Sequence, residues 1–209
     1  MCGRYSFYPP KNFASHFSLE LSSKDLAKLI PNGNVTPGQI MPIITKNNSS
    51  NQLTFLTWGF LPSWTRPDFK PLINARSETL LQKPFFKDAF LANRCLIPSS
   101  GFYEWSKKSK LNTHNVIARS KVTKQSPYCF SLKNDSVFSM AGLYSPTGYT
   151  IITTSSNSLV KPIHHRMPVI LNKENESTWL DPSANPQKLI SLMSPLDPNQ
   201  MSSVPKSPS

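Results

Sequence analysis

The chain has 209 residues, 38% of them hydrophobic and 11% aromatic, enough to bury a core in one domain. Lys and Arg number 23 against 11 Asp and Glu, a net charge of +12 that favours a polyanionic partner, chiefly nucleic acid. No stretch approaches the ~20 apolar residues of a membrane span, and the start lacks a signal-peptide pattern. Three scattered cysteines argue against a disulfide framework, so a reducing, cytoplasmic or nuclear setting is expected.

In chain order, residues 2–8 read as a short strand ended by Pro9 and Pro10. Helical stretches follow at 12–17 and 24–30, the second capped by Ser22 or Ser23. Residues 31–34 read as a turn. The runs 39–46 and 52–58 read as paired strands around a polar loop at 47–51. A helix over 84–93 has Pro84 in its first turn and Phe85, Phe86, Ala89 and Phe90 on one side. Strand-like runs come next at 95–97, 102–105, 115–119, 128–132, 139–144, 149–154 and 169–171. Short helices close the domain at 177–180 and 186–193. With 20 prolines against 7 glycines, rigid irregular connections are expected between these elements. The sum is one α+β domain over 1–193, with a curved, mostly antiparallel or mixed sheet and small peripheral helices. The Pro- and Ser-rich stretch 194–209 is expected to be a disordered tail.

Four runs set polar residues among residues that belong in a core. In the first, Cys2 follows only Met1 and precedes Gly3 and Arg4. Loss of Met1 leaves a free α-amine beside a thiol, with ordinary pKa values near ~8 and ~8.5. Such a pair condenses with an aldehyde to an imine and closes to a thiazolidine ring. Arg4 favours the thiolate further. The second run carries Asn74 and Arg76 after a short apolar stretch. The third sets Glu104 among Phe102, Tyr103 and Trp105, where desolvation raises a carboxyl pKa toward neutrality. The fourth carries His164 and His165 into an apolar strand. Imine chemistry needs an acid to protonate the departing hydroxyl and a base for the amine and thiol protons. Glu104 and His164 supply them, while the Asn74 amide can hold a sugar hydroxyl or the amine without adding charge. Arg76 and Arg166 offer planar forks to phosphate.

Each run also has an ordinary reading: Asn74 as a helix cap, Arg76 paired with Glu78, Glu104 facing outward, one histidine structural. The three cysteines and His16, His114, His164 and His165 lack zinc-like spacing, so no metal and no cofactor is expected. Seven Lys and Arg with no acidic residue lie in 105–134, which suits phosphate contact or a solvated hairpin equally.

Together these runs resemble the SOS response-associated peptidase family of abasic-site-sensing proteins, from Cys2 to about Met193. The resemblance rests on MCGRY at the start, NVTPGQ at 34–39, WGFLPSW at 58–64 and NARSET at 74–79. It continues through RCLIPSSGFYEW at 94–105, AGLY at 141–144, TTSSN at 153–157 and IHHRMPVIL at 163–171. The resemblance implies that Cys2 is the crosslinking nucleophile once Met1 is lost, and that Asn74 orients the reacting sugar. It implies that Glu104 serves Met1 removal and proton transfer, and that His164 assists imine formation and ring closure. Arg4, Arg76 and Arg166 match positions near the DNA backbone. Trp58, Phe60 and Trp64 suit a stacking wall beside unpaired bases, with core packing the alternative for Trp58. The implied substrate is an abasic site in single-stranded DNA, met by a monomer in the cytoplasm at the nucleoid or in a nucleus. Two departures stand out: Thr36 in place of alanine, and His165 where family members often carry aspartate. The competing readings are an amidohydrolase with an N-terminal cysteine nucleophile and a non-covalent single-strand binder.

Overall fold

The computed structural model describes residues 2–47, 50–66, 68–105, 127–206 and 208. Its strands gather into two sheets. The first runs through β1 (Tyr5–Phe7), β2 (Asn32–Val35), β7 (Gly101–Glu104), β8 (Tyr128–Leu132) and β13 (Met201–Pro205). Their spatial order is β13-β8-β7-β1-β2, and every pairing is antiparallel. The second sheet holds β3 (Ile40–Asn47), β4 (Ser50–Thr57), β5 (Asn74–Arg76), β6 (Arg94–Ser99), β9 (Phe138–Ser145), β10 (Gly148–Ser155), β11 (Arg166–Pro168) and β12 (Ile170–Leu171). Its main order is β11-β10-β9-β6-β3-β4, with β12 on β9 and β5 on β10. The β5–β10 pairing is parallel, which makes this sheet mixed. Neither sheet closes into a barrel, and the α+β class expected from the pattern stands.

The central strands of the larger sheet read as continuous apolar runs because they are buried on both faces. All six residues of β6 are buried, as are seven of the eight in β9. Helices α3 (Pro84–Ala92) and α4 (Glu176–Leu180) pack on this sheet, and β1 of the smaller sheet also meets β6. Pro84 starts α3 where a missing N–H costs nothing, and Phe86, Ala89 and Phe90 form its buried face. Its C-terminal carbonyls at Phe90 and Leu91 are met by the buried Arg94 guanidinium, which also reaches the carbonyls of Trp179 and Asp181. Arg94 therefore ties two helix ends to β6 and is not a surface cation. Helices α1 (Phe13–His16), α2 (Ser23–Ala27) and α5 (Pro186–Ser191) are short and peripheral. Ser22 and Asp25 close a capping box at the start of α2.

Gly148 opens β10 where a side chain has no room. A Cβ there would stand 2.4 Å from the Gly59 carbonyl oxygen and 2.5 Å from that of Thr57, both fixed backbone. Only glycine lets β10 lie this close to the chain entering the site.

Two expectations need correction. Residues 31–34 are not only a turn: β2 begins at Asn32 and pairs with β1, opposing Val35 to Tyr5. The stretch from 194 onward is not a disordered tail in its described part. Met201–Pro205 forms β13 with five register partners on β8, and Leu196 and Met201 are buried. Asn157, itself buried, donates to the Leu196 carbonyl at 2.8 Å and to Met201 Sδ at 3.2 Å. A strand on a sheet edge needs backbone pairing and a few apolar anchors, which Pro and Ser content hides. The strand expected over 115–119 and most of the basic run lie outside the described residues.

Candidate functional site

Register explains how the first two site residues meet. Tyr5 opposes Phe102 and Ser6 opposes Gly101, while the Tyr103 amide donates to the Arg4 carbonyl at 3.0 Å. One further step toward the chain start sets Gly3 across from Glu104 and Cys2 just beyond it. The larger sheet brings the other two. Asn74 is the first residue of β5, beside Ile151 of β10. His164 lies in the turn that leads into β11. The site thus forms where the ends of β1 and β7 in the smaller sheet meet β5 and the turn into β11, which flank β10 in the larger one.

Cys2 is fully buried. Its backbone carbonyl accepts a hydrogen bond from Asn74 Nδ2 at 2.9 Å. The Asn74 Oδ1 on the same amide is buried and has no hydrogen-bond partner among the described residues. A buried acceptor left this way costs about 1–3 kcal/mol, and it is suited to a donor that arrives with the reaction. Burial pushes the Cys2 thiol well above its ordinary range, and the Glu104 charge adds to the effect. Beneath the site, the Tyr5 and Tyr149 hydroxyls share a hydrogen bond of 2.7 Å and flank the Trp58 ring.

Glu104 is buried at the end of β7, and desolvation raises its carboxyl from 4.5 to about 7. Its Oε1 lies 3.9 Å from His164 Nδ1, an electrostatic contact too long for a direct hydrogen bond. Arg166 serves the same ring nitrogen with both backbone groups. Its N–H can donate to Nδ1 at 3.1 Å, and its carbonyl oxygen stands 3.2 Å away to accept when Nδ1 carries a proton. His164 therefore keeps a partner in either protonation state. The His165 ring lies against it at 4.5 Å between centroids.

The raised carboxyl has a consequence for stability. The unfolded carboxyl titrates near 4.5 and the folded one near 7, so the folded chain holds more protons in that window. Stability contributed by the neutral carboxyl is present below the lower value and is lost as pH rises through the upper one. Glu104→Gln, which cannot ionise, is expected to be more stable than the parent by about 3 kcal/mol at ~pH 8 and equal to it at ~pH 4. Urea denaturation at both values measures this, and a difference independent of pH would contradict it.

The four expected DNA-binding residues take different places. Arg76 is exposed next to Asn74, in a hollow of about 610 Å³ lined by Phe69, Leu72, Lys83 and Phe85. Trp64 is 58% exposed and borders a neighbouring hollow of about 680 Å³ with Arg66, Phe69, Lys70 and Phe85. The Phe85 ring joins the two, 4.9 Å from Trp64 and 5.0 Å from Phe69. The result is an aromatic groove with a basic rim that leads to Asn74. Arg4 bonds Asn34 Oδ1 at 2.8 Å and lies over the Trp105 ring at 5.8 Å. Arg166, expected at the DNA backbone, is buried with its fork on Glu78 and Thr153. The pairing considered between Arg76 and Glu78 gives way to this one.

Trp58 and Phe60 are not part of a stacking wall, being 1% and 2% exposed. Trp58 Nε1 donates to the Ile73 carbonyl at 2.9 Å and so fixes the residue before Asn74. Sequence reasoning missed this role, as it missed Phe69 and Phe85 in the groove. No group of three His, Cys, Asp or Glu side chains that could hold a metal stands together among the described residues. No helix among them is long and apolar enough to cross a membrane.

Comparison with known proteins matches this chain to a family over nearly its whole length. The model of the SOS response associated peptidase (SRAP) family matches residues 1–208. The abasic site processing protein YoqW of Bacillus subtilis (strain 168) is 36% identical over 220 aligned positions, covering 96% of this chain and 90% of YoqW. The abasic site processing protein HMCES of Rattus norvegicus is 28% identical, over 94% of this chain and 69% of its own. A crystal structure of a protein from Bacteroides thetaiotaomicron superposes with a TM-score of 0.77 at 27% identity, covering 97% of this chain and 90% of that one.

Proposed function

Because the chain belongs to the SOS response associated peptidase family, we propose that it processes abasic sites in single-stranded DNA through a covalent bond to Cys2. The observation that carries this reading is the Asn74 amide, which holds the Cys2 carbonyl at 2.9 Å while its buried Oδ1 awaits a donor. An α-amine or a sugar hydroxyl fits that acceptor.

The reaction begins once Met1 is removed, a step in which Glu104 takes part as a proton carrier. The freed α-amine of Cys2 adds to the aldehyde of the ring-opened deoxyribose. Glu104, poised near neutrality, protonates the hydroxyl of the adduct, and water leaves as the imine forms. His164 takes the thiol proton, and the sulfur then adds to the imine carbon. The imine nitrogen recovers a proton, and a five-membered thiazolidine results with one water lost overall. Burial keeps the thiol protonated, and so unreactive, until a base beside it acts.

The groove from Trp64 past Phe69 and Phe85 suits unpaired bases, since aromatic stacking tolerates any sequence and contributes ~1–3 kcal/mol per base. Arg76 and Arg4 are the cations that this reading sets against the backbone, with the protein acting as a monomer beside cellular DNA at the nucleoid or in a nucleus.

The test is direct incubation with single-stranded DNA that contains one abasic site. The proposal expects a complex that survives denaturing electrophoresis without added reductant. A complex that forms only at low salt and never survives denaturation would contradict the covalent step. Glutamine hydrolysis in its place would point to an amidohydrolase.

A further inference from the structure

We propose that Glu78 and Arg166 form a strap across β10 that sets the spacing between Asn74 and His164, which makes Glu78 and Arg166 positioning residues for the reaction. The inference rests on the covalent reading of the site given above. Thr153 of β10 faces Arg76 of β5 along one edge and Pro168 of β11 along the other. The two strands that carry Asn74 and lead from His164 are thus separated by β10, and no backbone ladder joins them.

The Arg166 side chain crosses that gap. Its Nη1 donates to Glu78 Oε1 at 2.5 Å, and Nη2 donates to Glu78 Oε2 at 2.9 Å. Nη2 also reaches the Thr153 carbonyl at 2.5 Å, which anchors the crossing to β10 itself. Glu78 lies in the 3₁₀ turn Ser77–Thr79 that continues from β5, four residues after Asn74. At the other end, the Arg166 backbone holds His164 Nδ1. One side chain therefore links the strand of the orienting amide to the backbone cradle of the proton carrier.

A phosphate contact explains this geometry less well. Arg166 is 8% exposed, both Nη atoms are already engaged, and the Nε left without a partner among the described residues is itself buried. The Arg166 fork holds the Glu78 carboxyl below the usual carboxylate range. A planar fork matched to a carboxylate sets direction as well as distance, which a lysine cannot do.

Glu78→Gln keeps the volume and removes the charge, whereas Arg166→Lys keeps the charge and removes the fork. Crosslinking rates across a range of DNA concentrations separate positioning from binding. Each variant is expected to lose about 10- to 100-fold in the rate at saturating DNA, the range seen when a group that orients a reacting side chain is removed. The DNA concentration for half-maximal rate should stay within about twofold, and the double variant should be no slower than the worse single one. An unchanged saturating rate with altered half-saturation would overturn the strap and make Arg166 a phosphate contact. Losses that simply multiply in the double variant would overturn it as well.

Amide hydrogen exchange at Arg166 supplies a readout that needs no reaction. Exchange in Glu78→Gln should be at least about tenfold faster than in the parent, because the cradle loses its anchor. If the parent protein forms no covalent product, the covalent reading fails while exchange still decides the strap. Unchanged exchange would overturn it.

Discussion

Cys2→Ala is expected to abolish the denaturation-resistant complex with abasic single-stranded DNA. The loss should be complete and not a slower rate, because no other group in the site can close the ring. Cys2 is fully buried against Asn74 and Glu104, while Cys95 is buried within β6 and Cys129 sits on β8. The substitution keeps the α-amine, so the first half of the reaction should survive as a reversible imine. Borohydride should therefore trap an adduct with Cys2→Ala, and no adduct should appear without it. This pair of results assigns the amine and the thiol to separate steps. A reductant-independent complex with Cys2→Ala would remove Cys2 from the chemistry. Removing one sulfur from a buried site leaves a small cavity, with a stability cost of about 1–2 kcal/mol that leaves the chain folded.

His164→Ala is expected to slow crosslinking at saturating DNA by about 100-fold or more, the usual contribution of a positioned proton carrier. The affinity for DNA should change by less than about threefold, since the ring faces Glu104 and the Arg166 backbone and lies off the groove. Rapid-quench crosslinking at several DNA concentrations, with binding measured on an unmodified strand, separates the two. Equal loss of rate and affinity would make His164 a positioning contact only. Glu104 alone can still protonate the leaving hydroxyl, so some activity should remain in His164→Ala.

Much of this architecture was legible from local pattern. The run 128–132 is β8 to the residue, and 139–144 and 149–154 lie inside β9 and β10. These strands are apolar along their length and bounded by turn residues, so local reading suffices. The failures came where distant parts of the chain decide the outcome. Asn32–Val35 has turn chemistry, including an Asn32 Oδ1 bond to the Asn34 amide at 2.8 Å, yet β1 recruits it as an edge strand. Met201–Pro205 looks like a tail, yet β8 and the buried Asn157 hold it.

The site divides along the same line. Cys2, Asn74, Glu104 and His164 stood out because each is polar within a segment that belongs in a core. That contrast is local, so each could be singled out one residue at a time. Roles that depend on a partner could not. Arg76 and Arg166 look alike in sequence, but one is exposed in the groove and the other is buried against Glu78, 88 residues away. Trp58 and Trp64 both suit base stacking by type. Trp58 lies 1% exposed over the Tyr5–Tyr149 pair, whereas Trp64 is 58% exposed beside Phe85. Charge type and aromatic type are local properties, while burial is set by the whole fold.

The most direct measurement is the mass of the product formed with abasic single-stranded DNA, followed by the mass of its N-terminal peptide. The expected mass is the sum of Met1-free protein and DNA less one water, with the modification on Cys2 and its thiol closed to alkylation. An adduct on a lysine, or a linked peptide in which the Cys2 thiol still alkylates, would contradict it.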